Sequence, residues 1–267
     1  MERCEKRKKM AIGNLVELAL SVGVYIFILF LPFLTSSTVS PAILFVPLEL
    51  IVFIWGMVYV LLGIFCLYTF LPQVRRSSDR GAFIERIGLL FILSCILNIS
   101  WLFAWEYGNL PLSAGIMGLL VIVLAAIYMR LKISAGEASI VENYLVHVPF
   151  RIYAGWAVVA ALAHAGALLM YFKGDGFGFG PQLWALAAVS LAVVSAVFML
   201  ARTSDVWFSA VVAFVLAGVF LNRLLNVTSS RLVTTAAGAG AVMLIGAVLY
   251  LLASGLRRSS ARTRYKL

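Results

Sequence analysis

Eight times along the chain a run of about 20 apolar residues recurs, and each is long enough to cross a bilayer as a helix. At a rise of 1.5 Å per residue, about 20 residues span a hydrocarbon core roughly 30 Å thick. The runs cover residues 11–34, 45–71, 84–105, 110–131, 149–172, 182–201, 206–222 and 232–256. Lipid offers backbone amides no hydrogen bonds, and a helix satisfies them within one segment. The expected fold is therefore an all-α integral membrane protein with eight transmembrane helices. Composition agrees: 63% of residues are hydrophobic and 12% charged. Soluble chains carry about 25% charged residues, and their polar surface would not suffice to cover this much apolar side chain.

The first run follows a basic arm (residues 1–10, with Arg3, Lys6, Arg7, Lys8 and Lys9). It is too long for the apolar part of a signal peptide and no small-residue cleavage site follows it, so it reads as a retained span. A second basic segment, residues 257–267, closes the sequence. With the first residue inside, alternation of the spans leaves 18 of the 21 Lys and Arg residues on the inner side; Lys173, Arg223 and Arg231 fall outside. That asymmetry places both ends in the cytoplasm and requires an even number of spans; the expected location is the plasma membrane. The net charge of +10 lies in these short clusters and not along one face. It points to anionic headgroups and away from nucleic acid.

Several patterns carry no chemistry. The stretch Gly174-Asp175-Gly176-Phe177-Gly178-Phe179-Gly180-Pro181 is a turn, since no strand precedes it as a dinucleotide site requires. Cys4, Cys66 and Cys95 have neither metal nor disulfide spacing and read as free thiols. Leu124-x3-Tyr128-x-Arg130 has the form of a sterol motif, but a Tyr and an Arg at a helix end are ordinary interfacial anchors. The sequon Asn226-Val-Thr228 matters only in a secretory setting. Glu17 and Glu49 lie near span ends, where a carboxylate reaches headgroups.

Three spans carry aromatic and amide residues at helical spacing. Trp55 and Tyr59 share one face of the second span. Asn98, Trp101 and Trp105 share one face of the third, and Tyr153, Trp156, Ala160 and His164 one face of the fifth. Counting along the helices puts Trp55 about 15 Å, Asn98 about 10 Å and His164 about 12 Å below the outer surface. At that depth polar groups face a cavity or bond between helices. The spacing leaves both readings open: a ligand-lined hollow, or interhelical glue.

These stripes resemble the TspO/MBR family of tryptophan-rich sensory or translocator proteins. The matching text is Trp55-Gly-Met-Val-Tyr59, Leu97-Asn98-Ile-Ser-Trp101 and Tyr153-Ala-Gly-Trp156 with Ala160. It covers residues 11–172, with three further spans in 182–256. The resemblance implies a five-helix bundle around a tryptophan-lined pocket for tetrapyrroles such as protoporphyrin or haem. Trp55, Tyr59, Asn98, Trp101, Trp105, Tyr153, Trp156, Ala160 and His164 are the ligand-binding candidates. Two departures stand out: His164 replaces the family's usual asparagine, and the first loop, Thr35 to Pro41, lacks the family's tryptophans. The missing tryptophans tell against tetrapyrrole-degrading chemistry, while His164 is a candidate axial ligand for haem iron.

The expected function is a sensor or carrier for a tetrapyrrole-like hydrophobic ligand, not an enzyme, with no required cofactor and no catalytic or metal residues. Its partners are the bilayer and that ligand, with a homodimer compatible. The alternatives are a secondary transporter using Glu17, Glu49 or His164, and a structural or assembly subunit.

Overall fold

The structure, a computed structural model, describes residues 2–35, 48–76, 81–131, 133, 139–172, 180–225 and 230–264. Each apolar run becomes one long helix. They are α1 (Glu2–Thr35), α2 (Leu48–Phe70), α4 (Ala82–Glu106), α5 (Leu110–Arg130), α7 (Val148–Phe172), α8 (Gly180–Thr203), α9 (Val206–Leu225) and α10 (Arg231–Arg264). Two short pieces, α3 (Pro72–Arg76) and α6 (Ile140–Glu142), lie between them, and a π-helical turn (Asn143–His147) joins α6 to α7. Seven helices are long and apolar enough to cross a membrane among the described residues. The remaining predicted span, 11–34, lies within α1, whose side chains from residue 24 onward are outside those described. Also outside are the loop residues 36–41, the glycine-rich residues 174–179, the sequon and the side chain of Glu49.

The basic arm is not a separate element: it is helical and continuous with α1. It is also anchored, because the buried Arg7 donates its Nε–H to Glu85 Oε1 of α4 at 2.7 Å.

Local chemistry sets the helix boundaries. After α4 the chain turns at Gly108, whose φ of +67° costs an L side chain energy but glycine little. Asn109 then caps α5, its Oδ1 accepting from the Leu112 amide at 3.2 Å. Between α8 and α9 the chain reverses in two residues, Ser204 and Asp205. Asp205 Oδ1 accepts from the amides of Trp207 (3.2 Å) and Phe208 (3.1 Å), which fixes the start of α9.

The helix at the centre is α7, which packs against α2, α5, α8 and α9. The α1 helix lies on α2 and α4, α4 on α5, and α10 on α8 and α9 at the far side. Between membrane helices no water is released on contact, so van der Waals fit dominates and small residues let backbones approach. The inner faces of α7 fit this description, with Ala154, Gly155, Ala157, Ala160 and Ala163 all buried. At Gly155 a methyl group would lie 2.9 Å from the Phe208 carbonyl oxygen of α9. Outward-facing positions are large and apolar, as at Leu89 and Val242, which suits a lipid surface.

Candidate functional site

The stripes on α2, α4 and α7 meet. Trp55, at the centre, is 1% exposed. Its ring stacks on Trp101 at a centroid distance of 5.3 Å and on Tyr59 at 5.7 Å. It meets Tyr153 and Trp156 edge to face, both at 6.0 Å. Such offset and edge-on arrangements are the favoured geometries of aromatic quadrupoles. Trp105 extends the layer: its ring lies 6.5 Å from Trp101 and 5.3 Å from His164. Ala160 is buried beside them and contributes the carbonyl that holds His164. Adjoining this layer, Phe65, Phe91 and Phe150 from the same three helices pack ring to ring at 5.1 to 5.9 Å.

Two hydrogen-bond systems thread the layer. In the first, Tyr59 donates its hydroxyl to Asn98 Oδ1 at 2.9 Å, and Asn98 Nδ2 donates to the Tyr153 hydroxyl at 3.1 Å. One amide thereby joins α2, α4 and α7. In the second, Trp101 Nε1 donates to His164 Nε2 at 3.0 Å, and His164 Nδ1 lies 2.8 Å from the Ala160 carbonyl oxygen. An indole nitrogen can only donate. His164 Nε2 must therefore accept, which puts the ring proton on Nδ1, where it is donated to Ala160. The imidazole is a neutral ring with both nitrogens engaged.

The Trp55 and Trp156 indoles behave differently. Both N–H groups are buried without a hydrogen-bond partner among the described residues. An unpaired buried donor loses its hydration with nothing in return, at a cost of about 1–3 kcal/mol. Such groups are rare enough in folded proteins to need a reason.

All nine predicted ligand-binding residues thus come into one layer, although seven lie more than 40 residues from Trp55 in sequence. Sequence reasoning missed a second buried polar cluster, at the other end of α7. There Arg151 pairs with Asp205 (Nε to Oδ2, 3.7 Å), and Tyr128 donates its hydroxyl to Asp205 Oδ2 at 2.8 Å. Tyr128 also lies 3.3 Å from Thr203 Oγ1. Tyr128, expected to be an interfacial anchor, instead ties α5 to the α8–α9 turn. The signal was a Ser-Asp pair immediately before an apolar run, which marks a helix cap; nothing local marks its distant partners. Cys66 and Cys95 are buried, and neither is in a disulfide. No group of three or more His, Cys, Asp or Glu suited to a metal occurs among the described residues.

A family model described as TSPO-like protein matches residues 11–250, running beyond the fifth span and through most of α10. No curated protein and no solved structure matches the chain. An all-helical membrane bundle, its ordered tryptophan stripes and a match across most of its length lead to one conclusion: the chain belongs to the TSPO-like family.

Proposed function

We infer that the aromatic layer receives a flat hydrophobic ligand of the tetrapyrrole type, and that the protein acts as a membrane sensor or carrier and not as an enzyme. The observation that carries this reading is the pair of buried, unpartnered indole N–H groups of Trp55 and Trp156. Tyr59, Asn98, Tyr153, Trp101 and His164 find hydrogen-bond partners among themselves. Those bonds hold three helices together and meet the description of interhelical glue. Two donors in the same layer are left over, and they suit a ligand that offers both an aromatic face and hydrogen-bond acceptors. The carboxylates or pyrrolic nitrogens of a porphyrin are such acceptors. Ring-to-ring contact closes the layer in this conformation. A ligand would enter by parting Trp55 from its neighbours and stacking between them, gaining about 0.5–1.5 kcal/mol per aromatic contact beyond burial.

The distribution of Lys and Arg supports an orientation with both ends in the cytoplasm.

The test is a titration of the nanodisc-reconstituted protein with protoporphyrin, followed by the shift of the porphyrin absorption band. Saturable binding is expected. Trp55→Phe and Trp156→Phe keep an aromatic face and lose the donor, so each should weaken binding about fivefold, the worth of a hydrogen bond of about 1 kcal/mol. Absence of saturable binding, or full affinity in the double phenylalanine variant, would refute the reading and leave the layer a packing device.

A further inference from the structure

A cleft of about 290 Å³ separates α5 from α8, on the outside of the bundle and apart from the tryptophan layer. Its floor is α7, where Ala154 and Val158 are too small to fill the space, and Phe208 of α9 closes one end. Its lining is almost wholly apolar. Ala125 and Phe198 on its walls are exposed. In a chain that crosses a bilayer, an exposed apolar wall is bathed by acyl chains. A concave one holds a chain in place, whereas a convex one lets it slide past.

Charge tells the two ends of the cleft apart. Along α8, Ser195, Phe198 and Met199 line it, and Arg202 follows on the same face at helical spacing, exposed at the helix end. Arg130, at the end of α5, lies on the face of that helix opposite Leu124, Ala125 and Tyr128 and is turned to α4, where its Nη1 donates to the Arg86 carbonyl at 3.3 Å. The Tyr128–Thr203 contact at 3.3 Å holds these two helix ends together. The acid at this junction, Asp205, is buried and already paired with Arg151, so it does not cancel the exposed guanidinium of Arg202. Between Val121 and Met129 the α5 wall runs for about 12 Å, leading from the arginine-bearing rim toward the middle of the bilayer.

We propose that this cleft binds an anionic phospholipid, with one acyl chain between α5 and α8 and the phosphate at the rim where Arg202 stands. Basic rims between membrane helices recognise anionic headgroups through the same attraction that draws polybasic segments to such membranes. The α8 wall belongs to the helices that follow the five-helix core, so the lipid would bridge the two parts of the chain.

Native mass spectrometry of the full-length protein tests this, with phosphatidylglycerol and phosphatidylcholine of identical chains added to the delipidated sample. The wild type should retain phosphatidylglycerol preferentially. Arg202→Gln should lower that preference about fivefold while leaving phosphatidylcholine retention unchanged, and Arg130→Gln, on the far face of α5, should leave the preference as it is. Ala125→Trp fills the cleft from its exposed wall and should abolish retention of both lipids without lowering the unfolding midpoint. Equal retention of the two lipids by the wild type would overturn the proposal, as would undiminished retention by Ala125→Trp. If Ala125→Trp lowers the unfolding midpoint, Val121→Phe on the same wall takes its place under the same two criteria.

Discussion

Replacing Asn98 with leucine keeps the number and branching of the side-chain heavy atoms and removes both of its hydrogen bonds, the one accepted from Tyr59 at 2.9 Å and the one donated to Tyr153 at 3.1 Å. Hydrogen bonds between membrane helices contribute about 0.6 kcal/mol on average and about 1.7 kcal/mol at most. Asn98→Leu should therefore cost about 1.2 kcal/mol, with a ceiling of about 3.4 kcal/mol. Tyr153→Phe removes one of the same two bonds and should cost about 0.6 kcal/mol. Because that bond is already gone in Asn98→Leu, the double variant should also cost about 1.2 kcal/mol, where independent sites would give about 1.8 kcal/mol. Unfolding in mixed micelles of dodecyl sulfate and a mild detergent measures all three. Additive losses would show that Asn98 and Tyr153 do not act through each other, and the bridge joining α2, α4 and α7 would lose its energetic role.

Gly155→Ala should destabilise the protein by about 1–3 kcal/mol, since its methyl would lie 2.9 Å from the Phe208 carbonyl and α7 and α9 would have to separate. Gly166→Ala, with nothing within 4 Å of the added methyl, is the control and should be neutral or slightly stabilising in the same unfolding assay. Asp205→Ala deletes the cap of α9, the acceptor for Tyr128 and the partner of Arg151 at once; a loss of about 3–5 kcal/mol is expected. Asp205→Asn keeps the cap acceptor Oδ1 and puts a donor, Nδ2, in place of Oδ2, to which a turned Tyr128 hydroxyl can still bond; it should cost clearly less. Equal losses for the two would show that the charge alone matters.

What could be read in advance was whatever depends on distance along one helix. The rise per residue put Trp55, Asn98 and His164 at one level, and the 3.6-residue period set their faces. Both quantities are local, and three helices of known direction therefore delivered one shared layer. Contacts that depend on how helices pack were not legible. Arg7 and Glu85 are 78 residues apart and Tyr128 and Asp205 are 77; no pattern in either neighbourhood names the other. Arg151 shows the same limit. Counted along the chain it is one more inner-side cation, yet in the fold its Nε lies 3.7 Å from a buried carboxylate. The choice between hollow and glue was also out of reach. It turns on which donors find acceptors, and the answer differs between Trp101, which has one, and Trp55 and Trp156, which do not.

His164 shows how this distinction governs the metal question. An imidazole binds iron through a nitrogen lone pair, and the Nε2 lone pair of His164 is occupied by the Trp101 N–H at 3.0 Å. The other nitrogen carries the proton that faces the Ala160 carbonyl. Axial ligation would need Trp101 to turn away, leaving a third buried indole without a partner beside the two already present. Haem added to the wild type should therefore bind without histidine ligation, and His164→Ala should leave its absorption spectrum unchanged. Trp101→Phe frees Nε2 while keeping an aromatic ring next to it, so in that variant a histidine-ligated spectrum should appear and should vanish again in Trp101→Phe/His164→Ala. A His164-dependent spectrum in the wild type would show that the Trp101 bond yields to iron, and the imidazole would then have to be counted as a ligand and not as a brace.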